Sequence, residues 1–195
     1  MDHAAITEEL AHSGFSLNPQ FFNQNFCSEL RSDIKRLKEE GKFIPARVGK
    51  GAQNQVHSGV RRNELCWLDR EAATKAQAEL WTELDQLKQA LNRNLFLGIH
   101  DFEGHYAIYP PGGFYQRHRD TFASDPKRVV SLILYLNESW NQNDGGQLRI
   151  YEGDSHRDIE PVSGTLLCFL SKDIDHEVLT SHADRLSFTG WFRTT

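Results

Sequence analysis

Few cysteines, no long apolar run and no surplus of positive charge mark this sequence from the start. The three cysteines, Cys27, Cys66 and Cys168, are odd in number and far apart, which suits neither a disulfide framework nor a thiolate zinc site. A reducing compartment, the cytoplasm, is the expectation. No stretch approaches the roughly 18 successive apolar residues that a membrane-spanning helix needs, so no membrane partner is expected. Residues 1–10 are acidic and lack the basic and apolar regions of an export signal. Lys and Arg number 22 against 27 Asp and Glu, a formal net charge of −5, which argues against a nucleic-acid partner. Repeats and low-complexity tracts are lacking too.

What is present fits one domain. The chain has 195 residues, and its 38% of hydrophobic residues with 14 glycines brings the apolar share to about 45%, enough for a sizeable core. Before residue 98 the periodic stretches are helical. The first covers 2–12, and a second opens at Asn18-Pro19 and carries Phe22, Phe26, Leu30, Ile34 and Leu37 up to Gly41. A third covers 70–97 with Leu80, Leu84, Leu87, Leu91 and Leu95 on one face. These stripes read as scaffold facing a core. Between the last two helices, 41–65 holds Lys42, Arg47, Lys50, Arg61 and Arg62 with no acid before Glu64, and is read as a strand plus a long mobile loop.

After Gly98 the period changes to two. Strands are expected over 100–109, 114–118, 128–136, 146–151, 164–170, 177–180 and 185–193, bounded by Pro-Gly-Gly, Asn-Asp-Gly-Gly and Ser-Gly turns. Short strands so punctuated read as an antiparallel sandwich or jelly roll, and helices followed by strands read as α+β, the helices bracing one sheet. The division is thus 1–97, helices with the strand and loop of about 42–67, and 98–195, a strand-rich core of the same domain.

The nine histidines raise the question of metal or proton chemistry. A His-x-Asp pair on a strand puts both side chains on one face. Three such pairs occur, at His118 and Asp120, His156 and Asp158, and His182 and Asp184, where chance alone gives fewer than one. The second lies in a charged connection and the third in a polar turn, whereas His118 ends the aromatic run Phe114-Tyr-Gln-Arg-His118 after a Pro-Pro-Gly-Gly turn. Kinase chemistry is excluded by the lack of a glycine-rich phosphate loop, and a serine hydrolase by the lack of a Gly-x-Ser-x-Gly elbow. Two histidines and a carboxylate leave coordination positions open, the pattern of non-haem Fe(II) oxygenases, and His176 is the candidate third ligand. Alternation from Arg185 puts Arg185, Ser187, Thr189 and Trp191 on one face, suited to a small anion.

The ordered set His118-x-Asp120, His176 and Arg185 resembles the signature of Fe(II)/2-oxoglutarate-dependent dioxygenases. Tyr109-Pro-Pro-Gly-Gly-Phe-Tyr-Gln-Arg-His-Arg-Asp120, Tyr135-Leu-Asn137, Gly145-Gly-Gln-Leu-Arg149, His176-Glu-Val178 and Arg185-x5-Trp191 resemble prolyl 4-hydroxylases, above all the oxygen-sensing type and its bacterial cytosolic relatives, whose substrate class includes elongation factor Tu. The resemblance implies a double-stranded β-helix, a jelly-roll variant braced by the N-terminal helices. It implies Fe(2+) on His118, Asp120 and His176, and 2-oxoglutarate held by Arg185 and Tyr135 with Thr189 and Tyr109 in the pocket. Arg128 and Trp191 stand beside the substrate, with Arg61 and Arg62 on the loop that would clamp it. The turn between Tyr109 and His118 is one residue shorter than in the animal enzymes.

The activity so implied is C4 hydroxylation of a prolyl residue in a protein, consuming O2, releasing succinate and CO2, and using ascorbate as a reductant for oxidised iron; a monomer is favoured. Two other readings stay open at this level: a hydroxylase of a small molecule or free amino acid, and a non-catalytic metal-binding or sensing module on the same fold.

Overall fold

Two long strands at the middle of the larger sheet set the architecture, because alternation gives each one greasy face and one mixed face. The computed structural model describes residues 2–47, 57, 59–121 and 126–195. In chain order the elements are α1 (His3–Ser13), β1 (Phe15–Asn18), α2 (Gln24–Glu39), β2 (Ile44–Pro45), β3 (Arg61–Arg62), β4 (Glu64–Trp67), α3 (Lys75–Leu95), β5 (Asp101–Tyr109), β6 (Phe114–His118) and β7 (Arg128–Tyr135). A short 3-10 turn (Gln142–Asp144) follows, then β8 (Leu148–Glu152), β9 (Ser155–Ile159), β10 (Leu166–Leu170), β11 (His176–Val178) and β12 (Arg185–Arg193). A seven-stranded sheet has the order β1-β10-β7-β12-β5-β4-β2, and a five-stranded sheet the order β3-β6-β11-β8-β9. Every pairing that joins named strands in these sheets is antiparallel.

The two sheets face each other as a jelly roll, and the helices cover the outer face of the larger one. Leu132, Leu134, Leu136, Phe188 and Phe192 point outward and pack with Leu30, Leu80, Leu84, Leu87 and Leu91 of the helices. Ile133, Tyr135, Leu167 and Phe169 point inward to meet Leu148, Ile150 and Val178 of the smaller sheet. The N-terminal half supplies strands to both sheets: β1, β2 and β4 join the larger and β3 the smaller.

Local chemistry explains where the elements begin, and there the sequence reading needs three corrections. Asn18-Pro19 does not open α2. It closes β1, an edge strand whose Phe15 and Leu17 pair with Phe169 and Leu167, and α2 starts only after Asn23, whose side chain accepts from the Phe26 amide. Helix α3 starts at Lys75 rather than near Arg70, because Thr74 and Gln77 form a reciprocal capping box. The charged stretch around His156 is itself strand β9, an edge strand with four of its five residues exposed, so it lacks the alternation that marks a half-buried strand. The middle of the expected mobile loop, at 48–56 and 58, lies outside the described residues, as do 122–125.

A close approach of backbones sits at the heart of the helix-facing layer. Gly190 and Gly104 are direct cross-strand partners on β12 and β5. A Cβ on Gly190 would lie 2.3 Å from the Phe102 ring, and one on Gly104 2.6 Å from the Phe188 ring, so the glycines make the room these rings fill. Gly190→Ala is expected to destabilise the fold by about 1–3 kcal/mol through overpacking, read as a lower urea midpoint. An unchanged midpoint would show that the rings can shift aside.

Candidate active site

Register lays the inner face of the larger sheet out in rows. Trp67, His105, Thr189 and Ile133 lie side by side on β4, β5, β12 and β7. The next row is Leu65, Ala107, Ser187 and Tyr135, and beyond it Tyr109 stands opposite Arg185. On the other side of the first row come Glu103, Trp191, Ser131 and, on β10, Phe169. A cavity of about 270 Å³ lies over this face.

Near the last row stand His118, Asp120 and His176. His118, ending β6, and His176, opening β11, are cross-strand partners whose rings lie 4.3 Å apart. Asp120 Oδ1 is 3.5 Å from His118 Nε2 and its Oδ2 is 3.8 Å from His176 Nε2, and one ligand atom from each residue falls within 4.8 Å of the others. Each imidazole faces a backbone carbonyl through Nδ1, His118 to Gln116 O at 2.7 Å and His176 to Ile174 O at 3.2 Å. A carbonyl only accepts, so Nδ1 carries a proton in both, and Nε2, on the side of Asp120, is the nitrogen that can give a lone pair to a metal. Burial, with His118 adding to it against the pull of Asp120, lowers His176 to about 4, which keeps it neutral. Burial works against the Asp120 carboxylate, but attraction to His176 and His118 in their protonated forms, with the Ser131 hydrogen bond, outweighs it and holds Asp120 well below the usual carboxylate range. One carboxylate and two lone-pair nitrogens converging in a buried spot make a donor set that fits a divalent iron.

Asp120 is also fixed from behind. Ser131 Oγ donates to Asp120 Oδ2 at 2.7 Å and stands 2.9 Å from Ser171 Oγ, all three residues being buried. The carboxylate can only accept, so the Ser131 proton is committed to it and Ser171 must donate to Ser131. Outside the triad, Asp175 beside His176 bonds Arg117 at 2.7 Å and Arg119 at 2.9 Å, tying β11 to β6. Tyr115 stacks on His118 with centroids 3.6 Å apart.

At the far end of the cavity Arg185 is 1% exposed. Its Nε donates to Gly146 O at 2.7 Å, its guanidinium lies 5.0 Å from the Tyr109 ring and 5.1 Å from the Tyr135 ring, and no acid pairs with it among the described residues. Arg185 Nη2 and Tyr135 Oη are buried without a hydrogen-bond partner. Burial pushes the Tyr135 hydroxyl up to about 12 against the opposing charge of Arg185, so it stays a donor. A cation and a hydroxyl left open in this way suit one carboxylate. Gly146 makes the fit feasible: at φ 65°, its Cβ would stand 3.0 Å from Arg185 Cδ.

Of the residues expected from the sequence, His118, Asp120, His176, Arg185, Thr189, Tyr109, Trp191, Arg128 and Arg61 all line this cavity, with Tyr135 against Arg185. Arg128 stacks 3.6 Å over Trp191 and is held by Glu103 at 2.8 Å. Arg62 is the exception. On a two-residue strand its side chain alternates away from Arg61, is exposed, and packs over Gly112 instead of the cavity. The other His-x-Asp pairs stay outside: Asp158 is bonded by Arg149 at 2.7 and 2.8 Å on the β8–β9 hairpin, and His182 lies in the turn before β12. The sequence reading missed Trp67, His105, Tyr115, Ser131 and Ser171. Ser131 alone had a signal, since it shares a face with Ile133 and Tyr135.

The converging triad and the open arginine define a class of protein, and comparison with known proteins agrees. The model of the 2OG-Fe(II) oxygenase superfamily matches residues 104–193. The structure of a Pseudomonas putida prolyl-4-hydroxylase is 41% identical, with 99% of both chains covered and a TM-score of 0.90. The chain belongs to the 2OG-Fe(II) oxygenase superfamily and is a prolyl-hydroxylase-like member of it, an enzyme family that uses Fe(2+) and 2-oxoglutarate. A Trichoplax adhaerens prolyl hydroxylase, solved with a fragment of the hypoxia inducible factor oxygen degradation domain, is 27% identical over 98% of this chain and 88% of that one, at a TM-score of 0.88. Prolyl 3-hydroxylase OGFOD1 of Mus musculus is 33% identical over a stretch covering 33% of this chain and 14% of that protein, so only a small part of the curated relative is matched.

Ser131→Ala leaves Asp120 without its donor and Ser171 without its acceptor, and is expected to weaken divalent metal binding about 10–100-fold. Calorimetric titration with Mn(II) checks this, and Ser171→Ala should do less. Equal affinity in all three proteins would mean that the hydroxyl chain does not hold the carboxylate.

Proposed function

We propose that this protein hydroxylates C4 of a prolyl residue in a protein substrate, elongation factor Tu being the candidate within that class. The observation that carries the reading is the pairing of the buried triad with Arg185, a cation held at the far end of the same cavity with one nitrogen free. In this reading His118, Asp120 and His176 hold Fe(2+), and Arg185 with Tyr135 grips the distal carboxylate of 2-oxoglutarate. The chemistry that the metal centre supplies when loaded is oxidative cleavage of this cosubstrate with O2 to succinate and CO2, coupled to insertion of one oxygen atom into a C–H bond. Ascorbate would serve as a reductant only.

The chain's own part is placement and shielding. Arg185 and Tyr135 fix one end of the cosubstrate, and Thr189 and Tyr109 line its length. Ile133, Leu148, Val178 and Trp191 exclude water from the space beside the triad. Ile44 and Trp67, 52% and 48% exposed, offer apolar surface at the mouth, with Arg47, Arg61, Arg119 and Arg128 as its basic lining. A mouth that is apolar and basic suits a peptide better than a free amino acid, and the Trichoplax enzyme was solved with a peptide. The placement of residues 1–97 and 98–195 in one domain belongs to the same proposal, as does a cytoplasmic setting. Three buried free cysteines suit that setting, and among the described residues no helix is long and apolar enough to cross a membrane.

The deciding experiment is mass spectrometry of cellular proteins with and without the gene, followed by amino-acid analysis that separates 4-hydroxyproline from its 3-isomer. Proline oxidation that depends on the gene supports the reading, and its absence with normal succinate formation returns it to a small-molecule hydroxylase. His118→Ala, Asp120→Ala and His176→Ala should each abolish succinate formation in a folded protein, whereas His156→Ala should be silent. Arg185→Ala should weaken 2-oxoglutarate binding by about 2–5 kcal/mol, the cost of leaving a buried carboxylate without its charged partner. Tyr135→Phe should cost only about 0.5–1.5 kcal/mol, one hydrogen bond. Titration showing the tyrosine change to be the more harmful would reverse the two roles.

A further inference from the structure

His105 is a buried imidazole for which the fold gives no return. It is 1% exposed, and neither ring nitrogen has a hydrogen-bond partner among the described residues. Its ring is held 4.8 Å from that of Trp67 and 5.4 Å from that of Trp191, contacts that an apolar ring would make as well. Burying two polar atoms without partners disfavours the folded state, so packing alone does not explain a histidine here. Of the other unpartnered buried groups about this cavity, Arg185 Nη2 and Tyr135 Oη at the deep end are explained by a ligand carboxylate, while Trp191 Nε1 stands beside His105. His105 lines the same cavity and calls for a ligand of its own.

Its place in the sheet says which ligand. The triad leans on β7 and β10, through the Ser131 bond to Asp120 and an edge contact between Phe169 and His176 at 4.6 Å. In the order β10-β7-β12-β5-β4-β2, strand β5 stands two places from β7, on the side of β4 and β2, whose Trp67 and Ile44 are exposed at the mouth. His105 therefore flanks the path from the mouth to the triad, off the line that joins the triad to Arg185. Burial first, then the charges of Arg61 and Arg128, with Asp120 opposing, lower its pKa to about 3. The ring is neutral and offers one N–H and one lone pair.

We propose that His105 is a substrate-contacting residue whose ring N–H donates a hydrogen bond to the backbone carbonyl of the target prolyl residue. This rests on the prolyl hydroxylase reading. A prolyl residue has no backbone N–H, so its carbonyl is its own backbone group for hydrogen bonding, and a neutral donor is what that oxygen takes. The apolar pyrrolidine ring suits the half-exposed ring of Trp67, which lies beside His105 at the mouth.

The test compares wild type, His105→Phe, His105→Gln and His105→Asn, each expressed in cells lacking the native gene. Hydroxylated prolines are counted by mass spectrometry, and Mn(II) and 2-oxoglutarate binding to the purified proteins is measured by calorimetry. His105→Phe keeps the ring stack and loses the nitrogens. It should melt at the wild-type temperature or above, bind Mn(II) and 2-oxoglutarate as wild type does, and lose at least about tenfold of the prolyl hydroxylation. Gln or Asn, depending on which nitrogen donates, should restore part of it. Hydroxylation by His105→Phe within twofold of wild type overturns the proposal. So does a loss of 2-oxoglutarate affinity, which would assign the ring to the cosubstrate, or a lowered melting temperature in all three variants, which would make it structural. If wild type itself restores no hydroxyproline, the prolyl reading fails and this inference with it, whereas wild-type rescue with an active His105→Phe sinks the inference alone.

Discussion

A guanidinium sealed into the gap between two sheets, bonded to one backbone oxygen and faced by no acid among the described residues, is the constraint around which this structure is arranged. Arg185 can stand there only because β12 lies in the middle of the larger sheet with its alternate residues turned inward. The turn ending in Gly146 brings a carbonyl within 2.7 Å of Nε, and a side chain at that glycine would strike the arginine stem. Tyr109 and Tyr135 supply aromatic faces in place of counter-ions. The same alternation turns Phe188 and Phe192 onto the helices, so the strand that places the cation also anchors the core. Replacing the arginine by an apolar residue would relieve the fold. In the proposed function its presence answers the carboxylate of 2-oxoglutarate.

The strands that carry the site were the most legible part of the sequence. Those starting at Arg128 and Arg185 alternate in sequence because one face meets helices and the other a mixed cavity, and 114–118 and 185–193 are observed with the expected bounds. The triad was legible for a related reason: its members sit at strand ends, flanked by turn residues that fix their position along the chain. Strand β1 was hidden because Phe15–Asn18 is short and is followed by Pro19, which in one dimension looks like a helix start. Strand β9 was hidden because it is exposed along the sheet edge, where no burial writes a period into the sequence.

The residues that escaped the sequence reading are those whose role depends on cross-strand neighbours. His105 is 71 residues before His176, and nothing local sets it apart from His100 or His156. Only the register Trp67, His105, Thr189, with Trp191 close by, shows it enclosed by rings, both nitrogens without a partner among the described residues. Ser171 lies 40 residues from Ser131 in the chain and 2.9 Å from it in space. Arg62 shows the converse. In the sequence it is indistinguishable from Arg61, yet alternation on a two-residue strand sends one guanidinium over Tyr115 in the cavity and the other out over Gly112.

Charge explains why the two ends of the cavity belong together. The mouth's cations are largely answered within the chain, Arg128 by Glu103, Arg119 by Asp175, and Arg61 by Asn63 and the Tyr115 ring. In the loaded site His118 and His176 would each give an Nε2 lone pair to the metal and so carry no charge, which leaves Asp120 and Arg185 as the formal charges, one of each sign at opposite ends. In the proposed loaded state the two positive charges of the metal and the one of Arg185 balance the two carboxylates of the cosubstrate and Asp120. A dry cavity tolerates buried charge only when it is paired, so the filled site is neutral where either ligand alone would leave it two charges out of balance. The protein's electrostatics therefore favour holding metal and dicarboxylate as a pair, and an acid added beside Arg185 or a base beside Asp120 would satisfy the empty cavity at the expense of the filled one.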